Sequence, residues 1–144
     1  MKLLMAIVLV FFVLSMAACD AGPKSSMGFR LPDGDIEKGK MAFVELKCHL
    51  CHTVAGIELP TPEVVPPVVI NLGGHVRNVK TYGELVTSII NPSHRLAKGY
   101  SKDLISIDGK SRMTDYSEVM TVRQMINLVA FLQSQYEIIL PPVK

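Results

Sequence analysis

The sequence predicts an all-α fold: one small domain of three to five helices. Three helix-start signals carry that expectation. Asp35 precedes an apolar set at spacings of three and four, Ile36, Gly39 and Phe43, as an N-cap before an inward-facing stripe would. Thr81 and Thr121 each stand three residues before a Glu or Gln, the capping-box pattern, ahead of the apolar sets Leu85, Val86, Ile89, Ile90 and Leu128, Phe131. Gly39 in mid-helix costs about 1 kcal/mol against Ala, so it implies the close approach of another helix. Between these segments the run from Pro60 to Pro67 cannot be helical and should lie extended.

The 144 residues allow one such domain, and part of the 49 % hydrophobic content sits in an N-terminal stretch that a mature protein would not keep. Lys2, the apolar run 3–14 and then Ser15-Met16-Ala17-Ala18-Cys19 form a signal peptide's charged start, short apolar middle and small-residue exit. The run is shorter than the about 20 apolar residues a membrane helix needs. Met16-Ala17-Ala18-Cys19 resembles a bacterial lipobox, with Met16 where Leu is usual. That resemblance implies a lipidated Cys19 and an anchor on the periplasmic side of the inner membrane, where Asp20 favours retention in enteric-type bacteria. Ordinary cleavage after an Ala is the alternative, giving a soluble periplasmic protein with a free Cys19 thiol. Residues 20–33 have no period and many turn formers, and read as a flexible tether. Residues 34–140 form the folded domain, with 141–144 as a tail. Without Lys2 the chain holds 14 basic against 13 acidic side chains, which argues against a nucleic-acid partner.

Cys48-His49-Leu50-Cys51-His52 is a CxxCH motif. Two thiols at that spacing lie about one helical turn apart, within reach of both vinyl groups on one edge of a haem, and His52 then falls beneath the iron as its axial ligand. A zinc half-site would want a second Cys or His pair, and a thioredoxin-type redox pair would want a βαβ setting. The only other Cys is Cys19.

Gly34-Asp35-Ile36-Glu37-Lys38-Gly39-Lys40-Met41-Ala42-Phe43, the CxxCH that follows, and Asn127-Leu128-Val129-Ala130-Phe131-Leu132 together resemble the two ends of class I (monohaem) c-type cytochromes. The resemblance covers both ends of residues 34–138. It implies the class I cytochrome c fold, with helices wrapped around one covalently attached haem c and the first and last helices packed together, Gly39 and Phe43 against Leu128 and Phe131. It further implies that a proline carbonyl, from Pro66 or Pro67, accepts the Nδ1 proton of His52, although the family's Gly-Pro-x-Leu is not reproduced. Arg77 resembles a residue that meets a haem propionate, with a solvated surface Arg as the alternative. Tyr100, in a stretch resembling a central helix and loop of bacterial cytochrome domains, is either a second propionate contact or a half-buried loop aromatic.

A six-coordinate iron needs a thioether or imidazole on its distal face. Met27 falls in the tether, Met41 in the first helix, Met125 in the last, and His49 inside the attachment loop. Met113, in Ser111-Arg112-Met113-Thr114-Asp115-Tyr116, looks like the family's Met-Pro ligand loop with Thr114 in place of Pro. Met120, His75 and His94 are the alternatives. The implied function is a membrane-tethered electron carrier or electron-transfer subunit rather than an enzyme, with a dehydrogenase, reductase or oxidase as redox partner. A haem enzyme or gas-binding sensor with an open distal site is the alternative. Arg95, Lys98, Lys102, Lys110 and Arg112 stand against only Asp103 and Asp108, an excess that suits an acidic partner, or a solvated loop.

Overall fold

Asp35 starts the first helix, α1 (Ile36–Glu45), with an extended backbone and a carboxylate that accepts from the Lys38 N–H at 3.0 Å. These facts come from a computed structural model that describes residues 31–139; the leader with Cys19, the tether through residue 30 and the tail 141–144 lie outside the described residues. The helix buries Gly39, Ala42 and Phe43. Its partner is the last helix, Val122–Ser134, capped reciprocally: the Gln124 N–H donates to Thr121 Oγ1 at 3.1 Å, and the Thr121 N–H to Gln124 Oε1 at 3.0 Å. The two cross where Gly39 has no side chain. A Cβ there would overlap the Asn127 carbonyl and lie 2.6 Å from Phe131 Cβ, so only Gly permits the approach. One turn on, the Phe43 and Phe131 rings meet edge to face with centroids 5.8 Å apart. Asn127, not Leu128, shares the Gly39 contact with Phe131, and its buried side chain is satisfied because Oδ1 accepts from the Asp35 N–H at 3.0 Å. Leu128 is buried in the core behind it.

Between these helices lie α2 (Tyr82–Ile90), opened by the Thr81–Glu84 capping box and burying Leu85, Val86 and Ile89, and the short α3 (Lys102–Ile105). The last helix is therefore α4. Phe43, Val54, Leu85, Val86, Ile89, Leu128, Val129, Phe131 and Leu132 make one core that joins α1, α2 and α4.

The all-α expectation is wrong. Among the described residues the domain is mixed α/β, four α-helices with six short strands in three two-stranded sheets, so the class I cytochrome fold is not what the chain adopts. β1 (His52–Val54) runs parallel to β2 (Ile70–Leu72), with His52 opposite Ile70. β3 (Gly74–Val76) runs parallel to β6 (Tyr136–Ile138), and β4 (Ser106–Ile107) antiparallel to β5 (Lys110–Ser111). The physical reasons are local. Thr53-Val54 and Val68-Val69-Ile70 are β-branched, and the prolines before them hold the chain extended until it meets β1. Asp108 and Gly109 both take positive φ, 50° and 76°, the two-residue turn that closes β4 onto β5. No helix among the described residues is long and apolar enough to cross a membrane.

Candidate functional site

Lys47, the residue after the Leu46 C-cap of α1, takes the left-handed region, φ 58°, and turns the chain into a short 3-10 turn, Cys48–Leu50. That turn brings Cys48 back beneath the helix end, where Sγ lies 4.0 Å from the Leu46 carbonyl and burial pushes the thiol up to about 11. Cys51 is exposed.

His52 is the first residue of β1, and the pairing with β2 fixes its ring. The Ile70 N–H donates to the Cys51 carbonyl at 2.9 Å, and the Ile70 carbonyl faces His52 Nδ1 at 3.3 Å. A carbonyl can only accept, so Nδ1 carries the proton and Nε2 is left as the ring's acceptor nitrogen. Burial lowers the pKa of His52 and so favours the neutral ring that a metal ligand must be, while the hydrogen bond to the Ile70 carbonyl acts in the opposite sense. The carbonyl that orients His52 therefore belongs to Ile70 and not to Pro66 or Pro67. The parallel register decides it: the strand that lies against His52 begins three residues beyond Pro67.

Met113 is held from both sides. Ahead of it, the Arg112 N–H donates to the Ile105 carbonyl at 2.9 Å, the Met113 N–H to Ser111 Oγ at 3.1 Å, and the Ser111 N–H to Ser93 Oγ at 3.1 Å. Behind it, the Tyr116 hydroxyl donates to the Leu46 carbonyl at 2.6 Å. The loop that lacks proline at Thr114 is thus restrained by hydrogen bonds.

His52, Met113, Cys48 and Tyr116 line one cleft, walled by Phe43, Leu46, Leu72, Leu85, Ile89, Leu128 and Leu132, with Lys80, Ser88 and Tyr136 as further polar residues. Hydrocarbon walls, one neutral imidazole and one thioether suit a flat apolar macrocycle whose metal takes nitrogen and sulfur axial ligands, and the chain fits a haem on that chemistry. Zinc wants four N, S or O ligands, and among the described residues no three His, Cys, Asp or Glu side chains come together as a metal-holding group.

Several residues singled out from the sequence lie elsewhere. Arg77 is exposed and Tyr100 half-buried, and neither lines the cleft, because the loop after β3 and the loop before α3 carry them outside it. Met120 and Met125 pack against the core, and Met41 is exposed. His75 is exposed and pairs with Glu137 at 3.1 Å across β3 and β6, and His94 is exposed. Sequence reasoning missed Ile70, Lys80 and Tyr116. Tyr116 was within reach, an aromatic three residues after Met113 in the same loop. The role of Ile70 rests on a backbone carbonyl and left no side-chain signal. No protein-family model, curated protein or solved structure matches the chain.

Proposed function

We propose that the chain is a monohaem electron-transfer protein: one haem c attached through Cys48 and Cys51, with His52 and Met113 as axial ligands of its iron. The observation that carries this reading is the convergence of the CxxCH histidine and Met113 on one apolar cleft, although 61 positions separate them in sequence. Cys48 and Cys51 would hold the haem by adding their thiols across its two vinyl groups, each thiol hydrogen passing to the neighbouring carbon, an addition that needs no oxidant. When bound, the haem supplies one-electron chemistry. His52, oriented by Ile70, would hold the iron through Nε2. Met113 would supply a thioether, a ligand that favours the reduced iron and raises the potential. The apolar walls would lower the local dielectric around the group they hold, one of the levers on its potential.

The protein serves as a carrier or as the electron-transfer subunit of a dehydrogenase, reductase or oxidase. Lipidation at Cys19 would hold it on the periplasmic face of the inner membrane. Lys98, Lys102 and Lys110 are exposed and available to an acidic partner, whereas Arg95 lies 3.9 Å from Glu84 and Arg112 donates to the Asp103 carbonyl at 3.2 Å.

Met113→Ala tests the ligand assignment. The parent should show the weak long-wavelength charge-transfer band of a thioether on ferric haem. The variant should lose it and fall in potential. A band that persists in Met113→Ala would move the assignment to Met120.

A further inference from the structure

We propose that Tyr116 is a positioning residue for Met113, fixing the ligand loop to the end of α1 beside the haem-attachment segment. The inference rests on the reading of Met113 as the distal ligand and adds what holds it there.

Tyr116 spans 70 positions to reach Leu46, and Leu46 is the C-cap of α1, two residues before Cys48. One carbonyl therefore joins the Met113 loop to the segment that carries Cys48 and His52. All of Leu46, Cys48, Met113 and Tyr116 line the same cleft. On its other side Met113 lies one residue past the β4–β5 hairpin: its N–H donates to Ser111 Oγ in β5, and the Arg112 N–H donates to the Ile105 carbonyl at the end of α3. Only Thr114 and Asp115 then lie between Met113 and the anchored Tyr116, so the Tyr116 bond limits how far the loop can carry the thioether from the cleft. The phenol is a donor at neutral pH already at its ordinary pKa near 10, and burial raises it further.

Tyr116→Phe keeps the ring and deletes the bond. In the ferric holoprotein, added imidazole competes with Met113 for the iron, so its affinity reports how readily the thioether leaves. Loss of one such hydrogen bond should tighten imidazole binding about tenfold. In a Met113→Ala background the same Tyr116→Phe change should leave imidazole affinity unaltered, because no thioether remains to position. Thr114→Pro, which restrains the segment through its ring, should restore the parent's affinity in Tyr116→Phe. Equal tightening with and without Met113 would overturn the proposal in favour of a general loosening, as would no tightening at all. Failure of Tyr116→Phe to assemble with haem both alone and with Thr114→Pro would assign Tyr116 a purely structural role. A parent without the thioether band removes the ligand reading and this inference together. A parent with the band and an unshifted Tyr116→Phe removes this inference alone.

Discussion

His52 and Ile70 stand opposite each other in a parallel pair of strands, and both backbone groups of Ile70 serve the CxxCH segment: its N–H donates to the Cys51 carbonyl at 2.9 Å, and its carbonyl faces His52 Nδ1 at 3.3 Å. The ring is thus oriented by main chain from a strand 18 positions away. A side-chain partner could rotate away, whereas a strand carbonyl moves only with its sheet.

Ile70→Pro should expose this dependence. It deletes the donor to Cys51, leaves that carbonyl unpaired, and should cost roughly 1–3 kcal/mol in denaturant unfolding. Val69→Pro is the control, since the Val69 N–H makes no hydrogen bond among the described residues. Similar losses in both variants would mean that the strand pair contributes little.

Two glycines in helices should respond with opposite signs. Gly39→Ala drives a methyl into the Asn127 carbonyl and to 2.6 Å from Phe131 Cβ, and overpacking against backbone costs about 1–3 kcal/mol or more. That outweighs the up to about 1 kcal/mol that Ala gains over Gly in a helix. Gly83→Ala in α2 meets nothing within 4 Å and should stabilise by about 0.5–1 kcal/mol. Thermal melts of the two variants check the pair, and a neutral Gly39→Ala would show that α1 and α4 can separate without loss.

Location is tested at Cys19. Labelled palmitate should enter the parent and not Cys19→Ala, and the variant should leave the membrane fraction for the soluble or signal-retained one. Equal partitioning of both forms would favour ordinary signal cleavage.

The helix starts were legible because capping is local. Asp35, Thr81 and Thr121 each announce themselves within four residues, and each caps a helix at that position. Gly39 announced a close helix contact for the same reason: its cost demands one. The strands were not legible because they are two or three residues long and pair across distance, His52 with Ile70 and Gly74 with Tyr136, so no alternation can accumulate. Asp108-Gly109 was the exception, a hairpin signal present in the sequence and passed over. In the site, side chains with distinctive chemistry, Cys48, His52 and Met113, could be picked out singly, and the cleft brings them together. What orients them, the Ile70 carbonyl and the Tyr116–Leu46 bond, depends on tertiary contacts that no spacing encodes.

Covalent attachment of one haem through Cys48 and Cys51 is tested most directly by mass spectrometry of the native protein after denaturation and an acid-acetone wash. The polypeptide should retain the mass of one haem, with a pyridine haemochrome spectrum of two saturated vinyl positions, and Cys48→Ser or Cys51→Ser should each give a single-linkage spectrum. A polypeptide that loses all its haem to the wash, or that holds one zinc ion per chain instead, would contradict it.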